Sequence, residues 1–551
     1  MSVIDLFPEF VVLWQLLAES YYNLGDETRA DKALTQHGMI KSFNHTLSDA
    51  EHYFKEDDFQ SCDQICRKLL VLVPNEPRVL MLMAKISQQF GHTDITVDII
   101  SQCLKIRPGD FKITLVYINY LLENKQAIKA LEYCEILLAK YPHNLEVMPL
   151  KAAAEIRLGL YKAALSTYTK ILPLHPQKGL SLLRYGNILK TVGETAEAIK
   201  TFHQAIQYDN SLGEAYWSLA NLKIYHFSDI EILAMEQHLK STTLTKQSRA
   251  FFHFSLGNAY DHKQNYAKSF MHYKQGNDLC HKPLHKNSNE QVEKLKTFFS
   301  IDYFKTQKKE GVQSEDPIFI VGLPRSGSTL VEQILSSHSQ VDGTMELTEI
   351  VSIVRELNSP SRQGKAGYPE SLTQLSSTQL EQIGQRYLKY VEPMRQGGRF
   401  FIDKLPNNFH HIGLIKTIFP KAKIIDVRRN AMASGWSIYT QFFAEGNSFS
   451  YSFEDIANNY INLMDHWHNV LPGQILTLSY EQLINDFDNT LDQIVEYCGL
   501  AMEDNCKKFF ENKRAVATPS SEQVRQPIYQ DALEHWKNYV NFLQPLSQKV
   551  G

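Results

Sequence analysis

The chain has 551 residues, more than one hydrophobic core usually organises, so two or three domains are expected. Its apolar fraction of 43% is ordinary for a globular protein, and its formal net charge is −4. That balance provides no broad basic surface for binding a phosphate polymer, which argues against a nucleic-acid partner.

The first residues are apolar but lack the features of a leader. Asp5, Pro8 and Glu9 precede the apolar run, no Lys or Arg does, and no later apolar stretch reaches roughly 18 residues. The seven cysteines are scattered and form no CxxC pair, so we expect reduced thiols. The sequence therefore predicts a cytoplasmic protein without a membrane span.

The N-terminal half has an internal period of 34 residues. Prolines after apolar runs, alanines and glycines all keep this step: Pro74, Pro108, Pro142 and Pro176; Ala130, Ala164 and Ala198; Gly159 and Gly193. A proline ends a helix because it lacks a backbone donor, and small residues let two helices approach closely. The pattern predicts helical hairpins over residues 9–280.

This period resembles the tetratricopeptide repeat, a helix–turn–helix unit of 34 residues. Such units bury their apolar faces by stacking, so the resemblance implies a solenoid with a concave surface. Such a surface usually holds a peptide or a partner protein, here a polypeptide acceptor or another partner. The alternative is that the array is only a scaffold or an arm that forms a homodimer. No motif in this half is typical of a catalytic site.

A polar, charged stretch over 281–316 predicts a helical linker, and a second domain over 317–551 follows. That domain begins with PIFIVG (317–322), the pattern of a buried parallel strand, then a glycine-rich turn and a helix. Backbone N–H groups in such a turn, with a helix N-terminus behind them, bind anions.

The turn, GLPRSGST, has the spacing of a nucleoside-triphosphate loop but lacks its lysine. Ser328 stands at the lysine position, which argues against ATP or GTP hydrolysis and favours a donor with a single bridging phosphate. Arg325 inside the turn offers that phosphate a planar, bidentate partner.

A second strand-to-helix turn carries another candidate phosphate site. The strand KIIDV ends at Arg428-Arg429, and Ser437 follows Arg429 by eight residues, about two helical turns. An arginine at a strand end and a serine on the next helix can converge on a second phosphate. The arginine pair alone is also compatible with a solvated surface.

Together these segments resemble the sulfotransferases, from about Asp316 to the C-terminus. The motif order is closest to the protein-tyrosine sulfotransferases and the bacterial tetratricopeptide-fused sulfotransferases. The resemblance implies a P-loop-like α/β domain with a parallel sheet and 3′-phosphoadenosine-5′-phosphosulfate (PAPS) as co-substrate. VGLPRSGSTL is similar to the 5′-phosphosulfate loop and VRRNAMASGWSIY to the 3′-phosphate motif. The donor ligands so implied are Pro324, Arg325, Ser326, Gly327, Ser328, Thr329, Arg429 and Ser437.

Two catalytic positions also follow from the resemblance. Glu346, 21 residues after Arg325, stands where tyrosyl sulfotransferases carry a catalytic glutamate, and Lys404 in FIDKLPNNF stands on the lysine that stabilises the leaving side. Positions bordering the nucleotide, several of them in a C-terminal segment that closes over the 3′-phosphate, are Tyr480, Ser520, Ser521 and Trp536. The chain departs from its relatives at two positions. At His535 they have a basic residue, whose place Lys537 or a protonated His535 would have to take. At Gln441 the tyrosyl enzymes have arginine.

The implied chemistry requires a cradle for the phosphosulfate, a base and a positive charge at the leaving oxygen. We assign these to the loop 325–329, Glu346 and Lys404, with Glu349 as a rival base one helical turn later. The scheme needs no metal, and the pairs His410-His411 and His466/His468 are not spaced as metal ligands.

Two classes of function remain. The favoured one is sulfation of tyrosine in a protein or peptide presented by the helical array, with carbohydrate or small-molecule sulfation as a close variant. The other is a non-catalytic interaction module. Retention of five chemical positions favours an enzyme: Arg325, Glu346, Lys404, Arg429 and Ser437.

Overall fold

The computed structural model describes residues 11–90, 93–281, 287–306, 311–358, 366–443, 447–458, 461–528 and 533–550. The chain divides into two compact units, Met1–Ala154 and Glu155–Gly551. The division falls inside the predicted repeat array.

The first unit is helical where it is described, and consecutive helices pack against each other. Its helices are α1 (Val11–Asn23), α2 (Glu27–Lys55), α3 (Phe59–Leu72), α4 (Pro77–Gln89), α5 (Thr93–Ile106), α6 (Phe111–Glu123), α7 (Ala127–Lys140) and the start of α8 (Val147–Arg157).

The 34-residue period has a structural cause in this array. Helices α3, α5 and α7 each end two residues before a predicted helix-ending proline. Ala130, Ala164 and Ala198 are completely buried, as residues at close helix contacts must be. The repeat helices predicted from the sequence are therefore confirmed.

The second unit continues the array and then forms the sheet domain. Its repeat helices are α9 (Tyr161–Ile171), α10 (Lys178–Val192), α11 (Thr195–Tyr208), α12 (Gly213–Ala220), α13 (Asp229–Leu239), α14 (Lys246–His262) and α15 (Tyr266–Cys280). Within the predicted linker lie α16 (Asn287–Phe298) and α17 (Ile301–Thr306), and Leu295 and Phe299 are buried in a core beside the sheet.

Five parallel strands form one sheet in the order β2-β3-β1-β4-β5. They are β1 (Pro317–Gly322), β2 (Val341–Gly343), β3 (Phe400–Lys404), β4 (Lys423–Arg428) and β5 (Ile475–Ser479). Side chains of β1 are buried on both faces: Phe319 joins one core, and Ile318 and Ile320 join another. The predicted parallel α/β sheet is confirmed.

Helices cover both faces of this sheet. The helices of the sheet domain are α18 (Ser328–Leu335), α19 (Glu349–Leu357), α20 (Ser377–Val391), α21 (Ile412–Ile418), α22 (Ala431–Tyr439), α23 (Phe453–Asn458), α24 (Ile461–Val470), α25 (Tyr480–Asn485), α26 (Phe487–Cys498), α27 (Asp504–Lys507) and α28 (Gln544–Val550). Over the described ranges, no helix combines the length and apolarity that a bilayer crossing requires.

Repeat helices of the second unit share a core with the sheet domain. Phe254 and Tyr273 of the array pack with Trp436 and Tyr539 in one apolar cluster. The amide of Asn277 donates to the Tyr439 carbonyl at 2.9 Å, and the Val516 amide donates to the Thr191 carbonyl at 3.0 Å. Helices α9–α15 are thus one folded body with the sheet.

Candidate functional site

The carboxyl ends of the parallel strands meet at one edge of the sheet, where open α/β proteins bind ligands. Strand β1 ends at Gly322, and the glycine-rich turn leads into α18 at Ser328. Gly327 has φ = 104°, and a Cβ there would lie 2.3 Å from the Tyr480 ring. Only glycine therefore lets the turn pass this close to Tyr480.

Arg325, inside the glycine-rich turn, contacts side chains from two distant segments of the chain. Its guanidinium donates to Ser437 Oγ at 3.2 Å, to Ser520 Oγ, and to Gln523 Oε1 at 3.2 Å. Ser437 and Ser520 are the residues that the sequence assigns to the 3′-phosphate. The loop arginine therefore reaches the second predicted phosphate position instead of staying within its own turn.

The two arginines at the end of β4 have different surroundings. Arg428 donates to the completely buried carboxylate of Asp426 at 2.7 Å. Arg429 donates to the Arg325 carbonyl at 3.3 Å, and its guanidinium lies 4.9 Å from the centroid of the Tyr480 ring. Arg429 thus belongs to the phosphate-loop cluster, whereas Arg428 stabilises its own strand.

One cavity of about 340 Å³ brings most of the predicted donor ligands together. Eight of them line it: Arg325, Gly327, Ser328, Thr329, Arg429, Ser437, Tyr480 and Ser520. The volume lies within the range of small-molecule sites. Pro324, Ser326 and Ser521 are not among its lining residues.

Ser326 and Ser521 are buried beside this cavity. The Ser326 hydroxyl oxygen, in a residue only 1% exposed, has no hydrogen-bond partner among the described residues. A buried hydroxyl of this kind is costly unless a ligand or water satisfies it.

The structure shows the surroundings of His535 and Gln441, the two positions at which the chain departs from its relatives. His535 lines the cavity next to Trp536, and its Nε2 lies 3.2 Å from Asp261 Oδ1. Gln441 is buried and donates to the neighbouring Phe442 carbonyl at 3.1 Å. His535 thus faces the site, while Gln441 supports the local backbone.

The predicted catalytic pair lies together at the same edge of the sheet. Lys404 ends β3, the strand paired with β1, and its Nζ lies 2.5 Å from Glu346 Oε1. The Lys404 side chain is 2% exposed and that of Glu346 is 43% exposed. Neither residue lines the 340 Å³ cavity.

A second carboxylate, Glu332 of α18, lies 3.8 Å from the Lys404 ammonium. Glu332 also accepts from Arg514 at 3.0 Å. The buried lysine is therefore held between one buried and one accessible carboxylate. The rival base Glu349 lies at the start of α19, 3.7 Å from the Arg386 guanidinium.

Sequence reasoning missed two parts of this region. Asp403, next to Lys404, is completely buried and accepts from Tyr387 at 2.6 Å, and burial raises its pKa to about 8. The repeat array, to which the sequence assigned no site, supplies further lining residues: Lys223, Asn258, Asp261, His262 and Tyr273. Their only sequence signal is the spacing of Asn258, Asp261 and His262, which lie at positions i, i+3 and i+4 on one face of a helix.

Among the residues that the structure describes, no group of three or more His, Cys, Asp or Glu side chains is arranged to hold a metal ion. His466 Nε2 lies 2.9 Å from the Phe299 carbonyl, and His468 Nε2 lies 3.4 Å from Asp426. Both histidines thus have protein partners.

Comparison with known proteins identifies both regions. The model of the sulfotransferase family matches residues 317–504, and that of the tetratricopeptide repeat matches residues 57–210. The chain carries a sulfotransferase-family domain. The fold around the phosphate loop and the Lys404 pair belongs to this sulfotransferase domain.

The chain is 31% identical over 373 residues to an uncharacterized protein of Aquifex aeolicus (strain VF5), covering 65% of this chain and 48% of that protein. It is 20% identical over 238 residues to protein-tyrosine sulfotransferase 2 of Gallus gallus, covering 40% and 63%. The chain thus spans from about half to less than two thirds of these relatives. A solved sulfotransferase domain from the curacin biosynthetic pathway is 18% identical with a TM-score of 0.30, covering 43% of this chain and 98% of that domain.

Proposed function

We propose that this protein is a PAPS-dependent sulfotransferase that moves a sulfuryl group to an acceptor hydroxyl, that of tyrosine in a protein or peptide. The observation that carries the proposal is the pairing of Glu346 with Lys404 at the sheet edge that holds the phosphate loop. A proton acceptor and a cation then lie together next to an anion cradle.

The residues present fit a donor with two phosphate groups. Arg325 and Arg429 line one cavity with the hydroxyl-bearing residues Ser437, on α22, and Ser520. The backbone N–H groups of the turn and the unpartnered hydroxyl of Ser326 add donors suited to an anion.

When bound, PAPS supplies the sulfuryl group: an acceptor oxygen bonds to sulfur while the bond from sulfur to the bridging oxygen breaks, leaving that electron pair on the 5′-phosphate. Glu346 accepts the hydroxyl proton, for which its half-exposed carboxylate is suited. Lys404 is buried, so its positive charge acts with little solvent screening on negative charge that develops nearby.

The choice of tyrosine as acceptor rests on two supports. The position of Glu346 resembles the catalytic glutamate of tyrosyl sulfotransferases, and a relative is named protein-tyrosine sulfotransferase 2. The helical array would present the polypeptide, in a protein that we expect to act in the cytoplasm.

A transfer assay tests both the proposed donor and the proposed acceptor. Purified protein would be incubated with sulfur-labelled PAPS and tyrosine peptides, polysaccharides or simple phenols. Label on the tyrosine peptides supports the proposal. Label found only on a polysaccharide or a phenol would identify that compound as the acceptor instead of tyrosine. Absence of transfer together with absence of PAPS binding would overturn it.

A further inference from the structure

The donor cavity has a wall that comes from the tetratricopeptide array. Asn258, Asp261 and His262 of α14 lie at positions i, i+3 and i+4, which place them on one face of the helix. Lys223, from the turn after α12, lines the same cavity as Arg325 and Arg429. These four residues, with Tyr273 of α15, thus share one cavity with the glycine-rich turn.

Two of these side chains carry unmet hydrogen-bonding capacity. Asn258 is 4% exposed, and its Oδ1 has no hydrogen-bond partner among the described residues. His262 Nδ1 is in the same state. Buried amides and imidazoles without partners are costly, so their placement on a cavity wall points to a polar ligand.

Lys223 adds a cation where other cations already lie. Burial, with a further contribution from the Arg325 guanidinium, lowers the pKa of Lys223 to about 7. Its ammonium lies 5.5 Å from the centroid of the Trp217 ring, and its backbone has a left-handed φ of 66°. Asp261, the carboxylate on this wall, is already bound by Tyr539 and His535.

Lys223 and Arg325 carry like charges on one cavity wall, and an anion bound between them would relieve their repulsion. Of the anionic groups of the donor, the 3′-phosphate is the one expected beside these cations. The Arg325 guanidinium contacts Ser437 and Ser520, and the sequence assigns both residues to the 3′-phosphate. Lys223 interacts electrostatically with that same guanidinium.

We propose that the ammonium of Lys223 and the side-chain Nδ2 of Asn258 donate hydrogen bonds to the 3′-phosphate of the donor, so that the tetratricopeptide array forms one wall of the nucleotide site. This inference rests on the proposed function. It gives the array a part in co-substrate binding, beyond presenting an acceptor.

Calorimetric titration tests the proposal with two probes, 3′,5′-diphosphoadenosine and adenosine 5′-monophosphate, which lacks the 3′-phosphate. The variants are Lys223→Met, which keeps the stem and removes the charge, and Asn258→Leu, which keeps the volume. Lys240→Met is the control, because Lys240 is an exposed lysine of the array outside the cavity.

Lys223→Met should weaken diphosphoadenosine roughly 10- to 100-fold, as expected for one charged hydrogen bond, and change monophosphate binding little. Asn258→Leu should act in the same direction, and Lys240→Met should match the wild type. The melting temperature of ligand-free Lys223→Met should stay the same or rise, which a purely structural role would not produce.

Failure of the proposed function and failure of the proposed role of the array would give different results. Wild-type protein that binds neither probe would overturn the proposed function itself. Wild-type protein that binds diphosphoadenosine, with Lys223→Met and Asn258→Leu binding it equally well, would overturn only the role of the array. Equal weakening of both probes in Lys223→Met would remove Lys223 from the 3′-phosphate.

Discussion

The ammonium of Lys404 and the carboxylate of Glu346 are in contact, although 58 residues separate them in the chain. The parallel pairing of β3 with β1 fixes the lysine beside the strand that leads into the phosphate loop. Glu346 comes from the segment between β2 and α19, so three parts of the sheet edge meet at this pair.

Lys404→Met should lower turnover roughly 10²- to 10³-fold, the usual cost of losing one preorganised charge at a reacting oxygen. Lys404 does not line the cavity, so binding of 3′,5′-diphosphoadenosine should weaken far less than turnover falls. Steady-state kinetics and calorimetry on the same preparation check both. A large loss of affinity with unchanged turnover would make Lys404 a binding residue.

Arg428, the last residue of β4, and Arg429, which follows it, provide a matched pair. Arg429→Ala should weaken diphosphoadenosine roughly tenfold or more, because its guanidinium lies on the cavity. Arg428→Ala should leave that affinity unchanged and lower the melting temperature, because it removes a partner of buried Asp426. Thermal shift with and without ligand measures both, and the reverse pattern would exchange their roles.

Turnover should survive a chelator. Lys404 supplies the positive charge at the leaving side, so the scheme uses no divalent ion. The check is the transfer rate after dialysis against EDTA, and a lost activity that a divalent ion restores would contradict the scheme.

Asp403 should give stability a distinctive pH dependence. Burial raises its pKa from 3.8 to about 8, so between these values the folded protein holds a proton that the unfolded chain has released. Its contribution to the free energy of unfolding therefore falls as pH rises from about 4 to about 8. Asp403→Asn should remove that fall, so the variant gains stability relative to the wild type across this window in denaturant titrations. A constant difference from pH 4 to pH 8 would show that Asp403 does not titrate in this way.

The repeat period and the sheet could be predicted because each leaves a local signal. Helix-ending prolines and buried alanines recur every 34 residues, and β1 is a continuous apolar run between a polar stretch and a glycine-rich turn. The glycine-rich turn could be predicted because its backbone geometry requires Gly327.

The wall formed by the array could not be predicted from local patterns. Lys223 and Asn258 reach the cavity only because the array and the sheet domain share one core, and no periodicity encodes that packing. Arg325 was predicted as a phosphate ligand of its own turn, and its contacts with Ser437 and Ser520 depend on elements more than 100 residues away.

Single-turnover transfer by Glu346→Gln and Glu349→Gln tests the central claim most directly. Each variant would be mixed with labelled PAPS and the acceptor found in the transfer assay, and donor affinity would be measured in parallel. The account predicts that Glu346→Gln lowers the transfer rate by roughly 10²- to 10⁴-fold with donor affinity nearly unchanged, because the proton acceptor is lost while its shape is kept. Glu349→Gln, whose carboxylate lies beside Arg386, should cost far less. Transfer by Glu346→Gln at the wild-type rate would contradict the account.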